Sequence, residues 1–404
     1  MATAAFTTKA QYDSYDVVII GGAIMGSATA WFLTRDPDFD GRILVIERDP
    51  SYAMCSTAHT NSCIRQQFST ELNVRISQFG AEFVTNLRDH MGDPRIPDMP
   101  IQNYGYMYLA DSDGFADALR AAQKVQHAAG TPTRLMSAEE IAAEYPFYRT
   151  DDIVLGSINT VNEGYFDGGG LFDWFRRKAR EGGAEYLQGE VVQIATAAGR
   201  VQGVTLADGR SIACGQLVNA TGPRAALTAA MAGIALPVEP RKRFTWVFEA
   251  REKLGRPLPL TIDPSGVHVR QEGPDTYMVG CKPDPDPAVE PTDFAMDHGL
   301  WESTVWPALA TRIPAFEAIR VITEWAGHYA YNTLDQNAVL GPHPELGNFH
   351  FINGFSGHGL QQSPAMGRGL AEMLVHGEYR ALDLSEFSYD RVIRNEAIVE
   401  RAVI

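Results

Sequence analysis

The first apolar run of the chain predicts a buried strand. Four apolar residues, Val17 to Ile20, lead into a glycine-rich turn and then a stretch with helical periodicity. A second apolar run, Ile43 to Ile46, ends in the acidic residue Glu47. Short continuous apolar runs of this kind are typical of strands buried on both faces. The pattern therefore predicts a strand, a tight turn, a helix, a second strand and an acidic residue, in that order.

The turn has the spacing of a dinucleotide-binding motif. Its residues are Gly21, Gly22, Ala23, Ile24, Met25 and Gly26. A glycine at position 21 allows the sharp turn, one at position 26 lets the helix pack close to the sheet, and N–H groups at the helix N-terminus receive a pyrophosphate. Glu47, 21 residues after Gly26, is placed to accept hydrogen bonds from ribose hydroxyls. The structural alternative is a glycine-rich turn that holds no ligand.

Two later segments repeat the combination of a strand and a turn of small residues. The stretch from Gln216 to Gly222 predicts a buried strand that ends in such a turn. Near the C-terminus, a short strand from Phe351 enters a glycine-rich turn that opens a long helix. A helix N-terminus there points again at an anionic or electron-rich group. A simple nicotinamide dehydrogenase needs no second glycine-rich turn near its C-terminus. A protein that binds a larger cofactor through both ends of its chain does need one.

The rest of the chain shows helical periodicity in some segments and strand-like patterns in others. Helical periodicity covers 71–90, 112–130 and Leu171 to Gly183, and strands are predicted at Tyr104 to Ala110, at Glu190 to Ile194 and in a hairpin from Val201 to Ala213. From Pro240 to Cys281 the alternation has period two, which predicts a separate antiparallel sheet. The Pro- and Asp-rich run from Lys282 to Pro287 predicts a stiff surface connector.

Composition and charge exclude several partners. The chain has 404 residues, 45% of them apolar, which is enough for two domains. A formal charge of −16 argues against nucleic acid or an anionic membrane as the main partner. No apolar stretch approaches 20 residues, so no membrane span is expected. Residues 1–14 lack the features of a secretory signal or a transit peptide, and a cytoplasmic protein is expected.

A metal site has little support in the sequence. The four cysteines, Cys55, Cys63, Cys214 and Cys281, are scattered without metal-binding spacing. The histidines and carboxylates form none of the short motifs that hold zinc. We expect buried or incidental thiols and no metal.

Taken together, the three glycine-rich segments resemble those of the FAD-dependent amino acid oxidase superfamily, which includes sarcosine oxidase, glycine oxidase and dimethylglycine dehydrogenase. The resemblance covers nearly the whole chain and is greatest for a mitochondrial branch linked to the assembly of respiratory complex I. It includes the segments Leu236 to Arg243, Trp325 to Gly327, Tyr331 to Thr333, Asp335 to Asn337, Gly341 to Pro344 and Gly354 to Gln362. These matches are specific to the fold and to FAD, and much less so to the substrate.

The resemblance implies an α/β fold with a discontinuous Rossmann-like FAD domain and a substrate domain built on a mainly antiparallel sheet. The FAD domain would take residues 12–92, 150–225 and 335–404, and the substrate domain 93–149 and 226–334. The implied FAD-binding residues are the first turn (Gly21, Gly22, Ala23, Ile24, Met25, Gly26), Glu47, Arg48, Ser56, Thr57, Asn61, Ser62, Val191, Ala220, Thr221, Gly222, Gly354, Ser356, Gly357, His358, Gly359, Leu360 and Gln361.

In sarcosine oxidase-like members an Arg and a Lys grip the substrate carboxylate, while the C–N bond loses a hydride to the flavin and the resulting imine hydrolyses. Arg65 falls at the position of that Arg, and Gln361 at the position of the Lys. A planar guanidinium suits a bidentate carboxylate contact. The alternative is that Arg65 pairs with a surface acid or touches the flavin edge. The complex I-linked branch lacks this Arg, so the present chain could be an enzyme where that branch acts mainly in assembly.

Two departures from the family bear on electron transfer and on FAD attachment. Family oxidases place a Lys over the flavin, and the matching position here is Met278, with Lys282 further along. A missing cation favours a dehydrogenase that passes electrons to an acceptor other than oxygen, such as a quinone or an electron-transfer protein. His328 takes the place of the Cys that tethers FAD in sarcosine oxidases, so non-covalent FAD is expected.

Several other polar residues are candidates for the site. Tyr329, Tyr331 and His358 are expected to line the flavin pocket, although such residues are often packed in a core with their polar atoms satisfied. The basic residues Arg241 to Arg243 could guide an anionic substrate or an electron acceptor, or form the solvated end of a strand.

Three functions stay open at this point. The first is oxidation of the C–N bond of an amino acid or N-alkyl amino acid. The second is oxidation of a 2-hydroxy acid, in which Arg65 would hold the same carboxylate and a histidine, His358 or His328, would act as base. The third is an assembly factor that keeps FAD for its structure.

Overall fold

The computed structural model describes residues 6–401. Residues 1–5, the start of the N-terminal segment considered above, and 402–404, the end of the predicted FAD domain, lie outside the described residues. The strands are β1 Ser14–Ile20, β2 Ile43–Glu47, β3 Cys63–Ile64, β4 Tyr106–Ala110, β5 Arg134–Met136, β6 Leu155–Asn159, β7 Gly164–Tyr165, β8 Glu185–Gln188, β9 Val191–Ala197, β10 Arg200–Leu206, β11 Ser211–Asn219, β12 Val238–Ala250, β13 Leu260–Ile262, β14 His268–Gln271, β15 Thr276–Cys281, β16 Ile319–Asn332, β17 Val339–Pro342 and β18 Phe349–Asn353. The α-helices are α1 Ile24–Arg35, α2 Glu71–Thr85, α3 Leu87–Met91, α4 Asp113–Ala128, α5 Ala138–Glu144, α6 Gly168–Glu181, α7 Ala225–Ala230, α8 Trp306–Arg312, α9 Gly359–His376 and α10 Asp390–Arg394.

The first sheet is parallel at its centre. Its strand order is β17-β18-β11-β1-β2-β8, with β9 and β10 added to β11 as antiparallel strands. The apolar residues of β1 are buried, because helices α1, α6 and α9 cover one face of this sheet and a second apolar cluster covers the other. Ile20 and Asn219 are in register at the ends of β1 and β11. The turns that follow these two strands therefore lie side by side.

The second sheet is almost entirely antiparallel, with the order β16-β12-β15-β14-β13-β4-β6-β5. Among the strands of this second sheet that the structure describes, only β13 and β4 pair in parallel. Along β12 the residues alternate: Phe244, Trp246 and Phe248 enter an aromatic core, and Arg243 and Thr245 face the other way. Because side chains along a strand alternate between faces, β12 directs aromatic side chains into this core and polar side chains to the other face.

The predicted fold class is confirmed, as are the predicted helices and the antiparallel sheet. Two details differ. The second arm of the predicted hairpin and the buried strand before Gly222 form one continuous strand, β11. Strand β6 pairs with β4 and β5 in the second sheet, although the predicted FAD segment 150–225 includes it. Two helices and a strand separate β6 from its partner β4 along the chain, so the sequence gives no direct sign that the two strands pair. The domain boundaries stay a prediction.

Within residues 6–401, no helix combines the length and the apolar character that a bilayer crossing requires. In the same range, Asp36, Asp38 and His376 are the one group of three potential metal ligands that lie close together, and none of them lines the cavity described below. The four cysteines are free thiols.

Candidate functional site

The first glycine-rich turn forms the floor of a large cavity between the two sheets, with a volume of about 390 Å³. Gly21 adopts a φ of +98°, and a Cβ there would lie 2.5 Å from the Ala220 carbonyl oxygen. A Cβ on Gly26 would lie 1.9 Å from the Gly21 carbonyl oxygen. Both contacts involve backbone, which cannot move aside as a flexible side chain would. These two positions therefore require glycine for the turn and for the close approach of α1.

The N-terminus of α1 opens into this cavity. Gly21, Ala23, Ile24 and Met25 line it, and no side chain caps the helix at Ala23. The N–H groups and the helix dipole make such an end attractive to an anion. The N–H of Ile24 donates to the Thr57 hydroxyl at 3.4 Å. Gly22 lies just outside the lining and donates its N–H to Oε2 of Glu47, at 2.9 Å.

Glu47 also lines the cavity and is held in place by backbone. Besides Gly22, the N–H of Asp49 donates to its Oε1, at 2.9 Å. Burial raises the pKa of Glu47, and these backbone hydrogen bonds oppose that shift. The neighbouring Arg48 lines the same end of the cavity, 4.0 Å from Glu190, and Val191 lies beside them.

The loop after β2 supplies a side wall. Ser56, Thr57 and Asn61 line the cavity. Ser56 donates its hydroxyl to the His328 carbonyl oxygen at 2.6 Å, which joins the loop to β16 of the second sheet. Ser62 is not part of the lining and packs against Gly168 at the start of α6.

The two later glycine-rich segments meet the first one at the cavity, as the parallel strand order requires. Ala220, Thr221 and Gly222 line it after β11. After β18 the lining residues are Ser356, Gly357, His358, Gly359, Leu360 and Gln361. Gly354 lies behind them with a φ of +74°, and a Cβ there would contact Val238 and Asn332.

Arg65 lies at the opposite end of the cavity, directly after β3. It is 2% exposed, and its guanidinium stacks on Phe68, with a distance of 4.1 Å from Cζ to the ring centroid. Nη1 donates to the Gln67 carbonyl oxygen at 2.8 Å and to the Tyr108 hydroxyl. These contacts hold the planar group in one orientation at the cavity wall.

His358 receives a further hydrogen bond from Arg65. The distance from Arg65 Nη2 to His358 Nε2 is 2.9 Å. A guanidinium has donors only, so Nε2 must accept and the imidazole proton must be on Nδ1. Burial, and then the charge of Arg65, lower the pKa of His358 well below its usual value. His358 is therefore neutral at pH 7, with the Nε2 lone pair directed at Arg65.

Gln361 has a role that its place in the sequence did not suggest. It was predicted at the position of a carboxylate-binding Lys. Its Oε1 instead accepts the backbone N–H of Arg65 at 2.7 Å. Gln361 lines the cavity but also fixes the strand end that carries Arg65.

Of the remaining predicted residues, Tyr329 and His328 line the cavity, whereas Tyr331 and Lys282 do not. Arg243 stacks on Tyr329 at 4.4 Å, and Arg241 stacks on Tyr331 at 4.0 Å one step further along the strands. The cavity ends before that second step. Lys282 is exposed, because it follows the last residue of β15.

His328 is held in one orientation at the cavity wall by its own contacts. Its Nε2–H donates to the Asp293 carbonyl oxygen at 2.7 Å, and its ring stacks on Phe294 at 4.1 Å. Burial lowers its pKa.

The cationic residues of the second sheet each have a carboxylate partner. Arg243 lines the cavity and makes two hydrogen bonds of 2.9 Å to Asp286 in the Pro- and Asp-rich connector. Lys242 lies 2.6 Å from Asp293. Near Met278, the predicted match to the oxidase Lys, Arg270 Nη2 lies 3.4 Å from the thioether sulfur. Arg270 itself pairs with Glu272.

Sequence reasoning missed several residues of this wall. Tyr106, Leu260 and His268 line the cavity, and Tyr108 and the buried Glu163 lie behind it. The His268 side chain fits at the cavity wall because Gly280, its partner in register on β15, has no side chain. A Cβ on Gly280 would lie 2.1 Å from His268 Nε2. Burial lowers the pKa of His268 to about 4. The alternation in the predicted strand Tyr104 to Ala110 placed Tyr106 and Tyr108 on one face, but a lone histidine gives no such signal.

Comparison with known proteins identifies the family. The family model described as "DAO: FAD dependent oxidoreductase" matches residues 16–373. The FAD-dependent oxidoreductase domain-containing protein 1 of Xenopus laevis is 37% identical over 424 residues, which cover 96% of this chain and 85% of that protein. Sarcosine oxidase subunit beta of Rhodobacter capsulatus is 24% identical, with coverage of 96% and 90%. The crystal structure of L-proline dehydrogenase from P. horikoshii superposes with a TM-score of 0.83 at 27% identity, with coverage of 96% and 100%. The chain belongs to the DAO family of FAD-dependent oxidoreductases.

Proposed function

We propose that this protein oxidises the C–N bond of an amino acid or an N-alkyl amino acid, such as an N-methyl amino acid, with FAD as the cofactor. The observation that carries the proposal is the buried guanidinium of Arg65 on the wall of the cavity that the glycine-rich segments share. The names of its relatives support it, since they include a sarcosine oxidase subunit and a proline dehydrogenase.

The residues of the cavity fit FAD. Gly21 and Gly26 permit the sharp turn and the close approach of α1, which bring the N-terminus of this helix to the cavity, where it suits a pyrophosphate. The carboxylate of Glu47 suits ribose hydroxyls at the end of β2. The segment Ser356 to Gln361 and residues of the second sheet surround the other end of the cavity, where the flavin ring would lie. When bound, FAD supplies the electron acceptor for the hydride that leaves the substrate carbon.

Arg65 would bind the substrate carboxylate and so orient the C–N bond in the cavity. Its stacking on Phe68 and its bonds to Tyr108 and Gln67 fix the plane of the guanidinium before a substrate arrives. Pre-organised donors are effective because little further ordering is needed on binding. Tyr106 and Tyr329 would enclose the substrate and exclude water.

The hydrogen bond between His358 and Arg65 favours an amine over a 2-hydroxy acid as the substrate. Oxidation of a hydroxyl group needs a base with an available lone pair. The Nε2 lone pair of His358, one of the two histidines considered as that base, accepts from Arg65. Hydride loss from a neutral amine makes no such demand.

We propose that electrons leave to an acceptor other than oxygen, such as a quinone or an electron-transfer protein. Stabilisation of a superoxide-like anion needs a positive charge near the flavin. Arg243 is a cation on the cavity wall, but its two hydrogen bonds to Asp286 balance its charge. Met278 takes the place of the Lys expected in an oxidase.

Anaerobic mixing tests both proposals. We expect an amino acid or N-methyl amino acid to bleach the visible flavin absorbance, and 2-hydroxy acids to leave it unchanged. Readmitted air should restore the colour slowly, and an artificial acceptor should restore it quickly. Bleaching by 2-hydroxy acids alone would assign the other chemistry. Failure of every compound to reduce a flavin that dithionite reduces would favour an assembly role, and rapid reoxidation by air would contradict the dehydrogenase.

Precipitation in acid tests the attachment of the cofactor. We expect the yellow colour to pass into the supernatant, because His328 at the tether position is held by the Asp293 carbonyl oxygen and by Phe294. Colour that stays in the pellet would contradict non-covalent binding. Peptide mapping would then identify the attachment site, beginning with the histidines that line the cavity, His59, His268, His328 and His358.

A further inference from the structure

A buried acid supports the segment that carries Arg65. Glu163 is fully buried, one residue before β7. Its Oε1 accepts the Gln66 N–H at 2.6 Å and the Asn159 side-chain amide at 2.9 Å. Its Oε2 accepts the side-chain amide of Gln67 at 2.8 Å. A carboxylate this deep in a protein needs such partners, because burial without them would cost several kcal/mol.

These three partners select the ionised form of Glu163. All are N–H donors, so a carboxylate satisfies each of them, whereas a protonated carboxyl group would add an O–H that needs an acceptor. The nearby amide oxygens already accept other groups: Gln67 Oε1 accepts from Ser157 at 2.8 Å, and Asn159 Oδ1 accepts from the Val161 N–H at 2.9 Å. Protonation therefore replaces a charged acceptor by a weaker neutral one and adds a donor among three donors, and the segment must adjust.

The hydrogen bonds of Glu163 are connected to the Arg65 guanidinium through Gln66 and Gln67. Gln66 and Gln67 directly follow Arg65, and the Gln67 carbonyl oxygen accepts from Arg65 Nη1 at 2.8 Å. Gln361 holds the other side of the segment through the Arg65 N–H. Glu163 thus fixes the backbone that determines where the guanidinium points, without lining the cavity itself.

We infer that Glu163 is a positioning residue whose carboxylate holds the segment Arg65 to Gln67, so that the guanidinium is presented to the carboxylate of the ligand. The inference rests on the proposed role of Arg65. It adds a pH dependence to anion binding that the cavity residues alone would not give.

Burial raises the pKa of Glu163 to about 7, and the hydrogen bonds from Gln67, Asn159 and Gln66 oppose that shift more than the charge of Arg65 does. Arg65 and Tyr108 interact electrostatically with Glu163, and the carboxylate of Glu400, which accepts from Ser69 and Thr70, acts on the same two groups. Burial raises the pKa of Tyr108, which stays neutral in this range. Ionised Glu163 holds all three donors and so orders the segment that carries Arg65, and we expect this ordering to exceed the Coulombic repulsion between Glu163 and a bound anion. Affinity for an anion is expected to increase as pH rises through 7.

Acetate is a suitable probe, since it is ionised from pH 6 to 8.5 and carries no amine. Titration of the FAD-loaded protein, followed by flavin absorbance, should give a Kd that falls about fivefold across this range, the change expected if binding lowers the pKa of Glu163 by about one unit from about 7. His358 does not contribute, because burial keeps its pKa well below the range.

The Glu163→Gln variant mimics the protonated acid and should give a Kd that stays at the weak, low-pH value. Glu185→Gln is the matched control: Glu185 is also buried and hydrogen-bonded, to Tyr15 and Thr7, but lies in the first sheet. It should keep the pH dependence. A wild-type profile without a change near pH 7, or an unchanged profile in Glu163→Gln, would overturn the inference. If the Glu163→Gln variant fails to bind FAD, the pH profile of the wild-type protein alone tests the inference.

The Arg65→Gln variant separates this inference from the proposed function. Loss of acetate binding at every pH in that variant supports the role of Arg65, whatever the result for Glu163. Unchanged acetate binding in Arg65→Gln would reject the proposed function and the inference together. Loss of binding in Arg65→Gln with an unchanged profile in Glu163→Gln would reject the inference alone.

Discussion

Replacement of Arg65 by Gln is expected to raise the KM for the amino acid substrate about 100-fold. The substitution removes charged hydrogen bonds to the substrate carboxylate, worth about 1.5–3 kcal/mol in total, and each 1.4 kcal/mol corresponds to a factor of about ten. The rate of flavin reduction at saturating substrate should change less, because the reacting bond is not touched. Steady-state kinetics with an artificial acceptor, together with anaerobic reduction at several substrate concentrations, would measure both quantities.

Arg176→Gln is the matched control for this substitution. Arg176 also stacks on an aromatic ring, with Cζ 5.3 Å from the centroid of Phe172, and it pairs with Asp173 outside the cavity. Its loss removes the same charge and should leave KM unchanged. A simple amine without a carboxylate gives a second control, since its KM should not respond to the loss of Arg65. Equal values of KM for the amino acid in wild type and Arg65→Gln would contradict the carboxylate role.

Replacement of Gly26 by Ala is expected to abolish FAD binding. The added Cβ would meet the Gly21 carbonyl oxygen at 1.9 Å, so either the turn or α1 must move away. Overpacking of this kind costs about 1–3 kcal/mol or more in the free energy of unfolding, and it displaces the helix end that would receive the pyrophosphate. The ratio of flavin to protein absorbance and a thermal unfolding curve would show both effects.

Gly114→Ala provides the comparison for a glycine without close neighbours. Gly114 lies in the first turn of α4, and a Cβ there would have nothing within 4 Å. Because Ala has the higher helix propensity, this variant should be up to about 1 kcal/mol more stable and should retain its flavin. A Gly26→Ala protein with full flavin content and an unchanged melting temperature would show that the close approach of α1 is not needed.

The sequence predicted the features that depend on local chemistry. The turn at Gly21 and the strand before it are recognisable because a fixed spacing of glycines is needed to bring a helix onto a sheet at this angle. The two later glycine-rich segments were recognised for the same reason. Their meeting at one cavity follows from the parallel order of β1, β11 and β18, whose carboxyl ends lie at one edge.

The sequence could not predict what depends on distant parts of the chain. The bond from Arg65 to Gln361 joins residues 296 positions apart, and the Gln361 side chain gives no sign that it accepts a backbone N–H rather than contacts a ligand. His268 lines the cavity only because a different strand carries Gly280 opposite it. Tyr331 was predicted to line the flavin pocket together with Tyr329, but the packing of the sheets ends the cavity before Tyr331.

The hydrogen bond between the Arg65 N–H and Gln361 also has a consequence for the synthesis of the protein. At a rate of about 5–20 residues per second, the 296 residues that separate the two positions take roughly 15–60 s to translate. In the finished fold α1 packs against α9. During that time the face of α1 that will contact α9 is uncovered. A nascent chain therefore exposes an apolar helix face until α9 emerges from the ribosome. FAD can enter a complete site only after that moment, so chains that stop early are expected to depend on chaperones rather than on the cofactor for their solubility.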